Sequence, residues 1–213
     1  MFTRRTMLLA LPLAATACAS GTPETLQPLV SGYRHLTPIR LNVAEVEVVP
    51  PSATAVRIDL PAPIRPDAEM VRMAEDRLIA MGTKARARFM VQAAEFRREQ
   101  MVGPGGLVGM FSGDPGERLA VRLEGRLEIL EDGGRRAAFV ESQARRQRTL
   151  PDGTSAADRR RAAEDIVRQA MDDLNVELEF QVRRNLREWV EPAGSAAVPA
   201  RPGGIEREDL PRR

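Results

Sequence analysis

Hydrophobic and polar positions alternate most cleanly over residues 117–150. Leu119, Val121, Leu123, Leu127 and Ile129 fall on one side of a strand, and Arg118, Arg122, Glu124, Arg126 and Glu128 on the other. Period two is the pattern of a strand with one buried and one wet face. Glu131-Asp132-Gly133-Gly134 supplies the positive-φ residues of a two-residue hairpin turn, and Arg135 opens the return strand. A turn centred on Asp132-Gly133 or on Gly133-Gly134 keeps the same parity. Ala138, Val140, Ser142 and Ala144 therefore share the face of the leucines. A sheet with one apolar face needs a cover.

The helices for that cover stand on either side. After the turn at Pro151-Asp152-Gly153, Ser155 and Asp158 suit a helix N-terminus. From there to Val190 one stripe follows spacings of three and four: Ala163, Ile166, Val167, Ala170, Leu174, Leu178, Val182, Leu186 and Trp189. Upstream, Pro66 and Asp67 suit a first turn, Met70, Met73 or Ala74, Arg77, Leu78 and Met81 keep helical spacing, and Gly82 closes the helix. Methionines at such spacing read as core filler before they read as a metal-binding or promiscuous surface.

Ile39, Leu41 and Val43, then Val46, Val48 and Val49, make a first strand. Its phase slips near Ala44 and Glu45, which marks a bulge or a stretch buried on both faces. Val56 to Leu60 is short and hemmed by prolines, at best an edge strand. Ala85, Ala87, Phe89, Val91 and Ala93 alternate with Lys84, Arg86, Arg88 and Gln92 as the second main strand. The expected fold class is α+β. It is a two-layer sandwich with a mixed four-stranded sheet, in chain order β-α-β-β-β-α, and two helices on one face.

Composition narrows the function classes. The 213 residues carry 31 arginines, one lysine (Lys84) and one histidine (His35), with a formal charge of +2. Arg4 and Arg5 lie in a segment that reads as removed; without them the basic and acidic side chains are equal in number. A neutral chain has no overall pull on phosphate, so no nucleic-acid partner is expected. A single histidine rules out a histidine-rich metal site, and at a domain edge it reads as a surface residue. No catalytic set stands out, so the expectation is no enzyme, no cofactor and no metal.

The N-terminus carries the most specific signal. Residues 1–5 are short and basic, residues 7–17 apolar, and Ala15-Thr16-Ala17 precedes Cys18, the sole cysteine. The apolar run is shorter than the ~20 residues a spanning helix needs, and Pro12 interrupts it. It reads as a cleaved export signal over residues 1–17. The segment resembles bacterial lipoprotein signals, in which a cysteine after small residues is acylated. Ala15 stands where leucine is commoner. An ordinary secretory signal leaving Cys18 as a free thiol is the alternative. Thr3 to Leu8 also resembles a twin-arginine export motif, against a plain basic segment.

Acylation, palmitate included, would make Cys18 an anchor rather than a catalyst, since more than one buried acyl chain makes attachment effectively stable. By the same resemblance Ala19, where aspartate would hold the protein at the inner membrane, favours the periplasmic face of the outer membrane. Residues 18–36 read as lipidated cysteine and flexible tether, 37–190 as one α+β domain, and 191–213 as a disordered tail.

Two surface features are candidate contacts. Lys84, Arg86 and Arg88 form a basic row, either a cross-strand ladder with Glu124 and Glu128 or a site for an anionic ligand. Residues 103–111 are glycine-rich yet carry Leu107, Val108, Met110 and Phe111. No phosphate-loop register fits. These apolar side chains either fold back on the core or form an exposed tip that meets a membrane or partner.

The segments Pro38-Ile39-Arg40-Leu41-Asn42-Val43, Ala74-Glu75-Asp76-Arg77-Leu78 with Gly82, and Asp173-Leu174-Asn175 with Leu178-Glu179 resemble a family of uncharacterised small lipoproteins of alphaproteobacteria. That family brings no activity. The architecture is also similar to accessory lipoproteins of outer-membrane machines, of the lipopolysaccharide-assembly and ABC-transport auxiliary types. The resemblance implies a non-enzymatic envelope lipoprotein that supports a membrane or transport complex through an envelope protein partner. The alternative is a periplasmic module that binds a lipid or glycan through the basic sheet face.

Overall fold

The computed structural model describes residues 32–101 and 116–190. Cys18, Leu107, Met110 and Phe111, with the expected signal segment and C-terminal tail, lie outside the described residues. The chain divides into two units, Met1–Ser31 and Gly32–Arg213.

Three long strands carry the fold: β5 (Arg86–Gln100), β6 (Glu117–Leu130) and β7 (Arg136–Leu150), antiparallel in that order. The edge of β5 away from β6 takes two short parallel strands in succession. β2 (Glu45–Val49) lies beside residues 86–90 and β3 (Val56–Ile58) beside residues 94–96. The mixed sheet therefore has five strands in four positions. The short run at Val56 is an edge strand, held by parallel pairing.

The hairpin register matches the expectation and the turn does not. Ile129 pairs with Ala138, Leu127 with Val140, Gly125 with Ser142 and Leu123 with Ala144, so these residues share the core side. The connection, however, spans residues 131–135 rather than two residues. Ala137 is an extra residue opposite the shift between Ile129 and Leu130, which restores the parity. Gly133 and Gly134 both take positive φ, +95° and +82°.

Two further corrections have the same cause, competition by tertiary pairing. Helix α1 (Pro66–Arg77) ends a turn earlier than its apolar spacing suggests. Leu78–Ala80 leaves it as strand β4, parallel to β1 (Ile39–Leu41) in a separate two-stranded sheet. The phase slip at Ala44 is thus a real break, with residues before and after it in different sheets. Helix α2 (Ala156–Asn185) likewise stops short of Val190. Leu186 leaves the helical region, a 3₁₀ turn follows at Arg187–Trp189, and Val190 bridges to Leu41 while the Trp189 carbonyl accepts from the Asn42 amide at 2.7 Å.

Both helices cover one face of the sheet. Ala163, Ile166, Val167, Ala170, Leu174, Leu178, Val182 and Leu186 of the α2 stripe are all buried, joined by Met70 and Met73 of α1 and by Phe89 and Phe96 of β5. Each of these side chains larger than alanine contributes ~1.5–3 kcal/mol by leaving water. Ser155 caps α2 as its sequence suggests, its hydroxyl accepting from the Asp158 amide at 3.1 Å. Strand β5 carries one irregularity, between Val91 and Ala93, where Gln92 bulges out and the core side passes to Ala94 and Phe96.

Candidate functional site

The residues that carry the resemblance come together as structure. Arg77, 1% exposed, donates to Asn175 Oδ1 at 2.7 Å and to Glu179 Oε2 at 2.5 Å, tying α1 to α2 inside the helix layer. Burial raises the Glu179 carboxyl, but hydrogen bonds from Arg77 and Arg183 outweigh it and hold the group below the ordinary carboxylate range. One residue earlier, Asp76 accepts from the Tyr33 amide at 2.8 Å and from Arg34 Nε at 2.9 Å, so the segment entering the domain is clamped to α1. At Gly82 a Cβ would stand 2.4 Å from Asn42 Oδ1, so only glycine fits beside the β1–β2 junction. These segments hold the fold; none is a reactive group in a cleft.

The uncovered face of the sheet carries the expected charge ladder, with partners other than those expected. Arg88 stands opposite Glu128 in register but donates to Glu47 of β2 at 2.9 Å, and Arg86 lies 3.2 Å from Glu45. Glu128 instead holds Arg126 and Arg136, at 3.0 and 3.1 Å. Farther along, Glu124 meets Arg122 at 2.9 Å and Arg145 at 3.3 Å, and Glu95 meets Arg122 and Arg97 at 3.1 and 2.6 Å. Glu124 first, and Glu95 after it, hold the Arg122 guanidinium above its ordinary value. Phe139, on this face, lies against Arg126 and Arg136, their guanidinium carbons 4.3 and 5.0 Å from the ring centre. Each of these arginines has a carboxylate partner, with Glu95, Glu124 and Glu128 each serving two of them.

At the hairpin end of the sheet the pattern changes. A cavity of about 540 Å³ is lined by Asn42, Thr83, Lys84, Ala85, Glu131, Asp132 and Trp189. A second, of about 690 Å³, adjoins it across Ala85, Glu131 and Asp132 and takes in Arg86, Arg88, Glu128 and Arg136. Ala85 sits between them with φ of +61°, a left-handed conformation that costs an alanine roughly 1 kcal/mol. The amide of Ala44 bonds both the Lys84 and the Ala85 carbonyls, at 3.1 and 3.0 Å, and holds it there. This kink separates the expected basic row: Arg86 and Arg88 stand in the ladder, and Lys84 lines the first cavity.

Trp189, half-buried against the core, also lines that cavity. Sequence reasoning counted it in the core stripe. The signal that would have placed it was weak: a tryptophan beyond the last regular turn, just before Pro192. Among the described residues no group of three His, Cys, Asp or Glu side chains could hold a metal ion, and His35 is exposed. No described helix is long and apolar enough to cross a membrane.

The fold and site thus define an α+β sandwich with one helix-covered sheet face, one charge-compensated face and a polar cleft where the hairpin turns. No family model and no curated protein matches the chain. Among solved structures it is similar to a minor lipoprotein of Acinetobacter baumannii, at 12% identity over 71% of this chain and 98% of that one, with a TM-score of 0.37. It is also similar to protein XCC0632 of Xanthomonas campestris, of family DUF330, at 13% identity over 72% and 91% with a TM-score of 0.36. Lipoprotein GNA1162 of Neisseria meningitidis shares 8% identity over 61% and 99%, with a TM-score of 0.26. Likeness of this extent assigns no activity to this chain.

Proposed function

We propose that the protein is a lipid-anchored, non-enzymatic component of the bacterial cell envelope. In this reading it is held by Cys18 at the periplasmic face of the outer membrane and supports a membrane or transport complex through contact with an envelope protein. The observation that carries the reading is the short basic, apolar and small-residue sequence that ends at Cys18. Two structural features accord with it. The ladder arginines on the open sheet face are paired with glutamates, and the conspicuous buried polar group, Arg77, serves helix packing.

Binding of lipid or glycan by a bare basic sheet face is not favoured, because Arg86 and Arg88 are matched by Glu45 and Glu47. The anchor is tested by metabolic labelling with a fatty-acid analogue and by fractionation of the full chain and its Cys18→Ser variant. The wild-type chain is expected to label and to partition with membranes, and the variant to do neither. Continued labelling of the variant would overturn the reading.

A further inference from the structure

The cavity beside the hairpin turn adjoins a stretch of the sheet face whose arginines are paired. Arg86, Arg88, Arg122, Arg126, Arg136 and Arg145 each have a carboxylate partner. Glu131 is likewise bonded to Arg135. Lys84 and Asp132, which line the cavity, form no ion pair among the described residues. An opening that presents one uncommitted cation and one uncommitted carboxylate, with the amide of Asn42 and the hydroxyl of Thr83, leaves charges and hydrogen-bonding groups for a ligand to satisfy.

The remaining wall is aromatic and fixed in place. The Trp189 backbone accepts from Asn42 and donates to Leu186, and the next residue bridges to Leu41, so the indole is carried on a backbone bonded on both sides. Lys84 is the chain's one lysine among 31 arginines. It offers a compact, strongly hydrated point charge where a planar guanidinium fork would demand a bidentate partner. The left-handed backbone at Ala85 keeps that lysine out of the neighbouring ladder. Backbone held in a costly conformation beside an open cavity is an arrangement that functional sites retain.

We propose that this cavity binds an anionic saccharide unit. The acidic substituent of the sugar, carboxylate or phosphate, meets Lys84, and the apolar face of the ring lies against Trp189. Its hydroxyls donate to Asp132 and exchange hydrogen bonds with Asn42 and Thr83. The volume falls within the ~300–1,000 Å³ of small-ligand sites. An acyl chain has no place there, since Ala85 and Trp189 are the apolar members of the lining. The proposal does not depend on acylation of Cys18.

The sole tryptophan makes the test direct, because intrinsic tryptophan fluorescence reports Trp189 alone. The full chain is titrated with tri-galacturonate, with its neutral counterpart of three unmodified hexoses, with inorganic phosphate and with phosphoethanolamine. The expected result is a saturable change in emission with tri-galacturonate. The neutral trisaccharide and the Lys84→Met and Asp132→Asn variants should each bind about tenfold more weakly, and Arg145→Gln should bind as the wild type does. Lys84 and Asp132 are exposed, so circular dichroism should show both variants folded. Equal affinity for inorganic phosphate would reduce the site to an anion site, and equal affinity for phosphoethanolamine would make it a headgroup site. Either result, or no saturable change up to about 10 mM in the folded protein, overturns the proposal.

Discussion

The helix layer and the open face of the long sheet both carry arginine, and the same side chain has a different meaning in each. Between the helices, Arg77 is sealed from water and depends on Asn175 and Glu179. On the open face, Arg122 and Arg145 share Glu124 while remaining substantially in solvent. A charge in a low-dielectric layer must keep its partner, whereas an exposed pair contributes little because water already solvates it. The covered face is therefore a specification of packing. The open face is a surface of exposed, shared ion pairs.

Neighbouring residues of β6 offer the sharpest contrast. Leu127 points under the helices and is fully buried. Leu127→Ala should cost about 3 kcal/mol in urea-induced unfolding, from lost burial and the cavity left behind. Next in size is Glu179→Ala, which strands the Arg77 guanidinium. Glu179 is itself partly exposed, so the expected loss is about 2 kcal/mol, below the usual range for a severed buried pair. Arg77→Met in the same background should recover part of that loss, because the unpaired charge is then gone. A Glu179→Ala loss no larger than that of an exposed pair would erase the distinction between the helix layer and the open face.

Glu124→Gln, on the open face, should change stability by less than about 1 kcal/mol and should lose even that in high salt. The smallest expected effect is local. The Tyr33 amide, and after it Arg34, hold the Asp76 carboxyl below its ordinary value, with burial opposing. A depressed folded-state pKa contributes stability above the unfolded value near ~4, and that contribution is lost as pH falls through the folded value. Protection of the Tyr33 amide, measured as its exchange relative to the intrinsic rate at each pH, should therefore hold at pH 5 and fall only below the ordinary carboxylate range. In Asp76→Asn the protection should be lower at pH 5 and should converge with that of the wild type in acid.

The covered face was legible because one physical cause, burial, writes a period into the chain. Leucines of β6, their partners on β7 and the α2 stripe all follow from it. Legibility fails where that cause competes with another. Leu78 and Met81 keep helical spacing, yet pairing with Ile39–Leu41 draws Leu78–Ala80 into a strand. Arg146 and Arg148 lie opposite Val121 and Leu119 on the covered side, where alternation alone expects apolar residues. They reach across to Asp173 and Asp165 of α2, at 2.5 and 3.6 Å, an exchange of burial for ion pairing that no local pattern announces. Of the basic row, Arg86 and Arg88 stand in a ladder with Glu45 and Glu47 rather than with Glu124 and Glu128. Lys84 escapes it because one left-handed residue, Ala85, changes direction without any glycine to signal the turn.

The claim that a membrane-held body works through contact with an envelope protein is tested most directly by in-cell cross-linking. The chain is tagged at its C-terminus, captured from the membrane fraction and the bound species identified by mass. The account predicts repeated recovery of one envelope protein with the wild-type chain, and its loss with Cys18→Ser expressed at the same level. Recovery of glycan or lipid alone, or of no protein from a wild-type chain abundant in the membrane fraction, would contradict it.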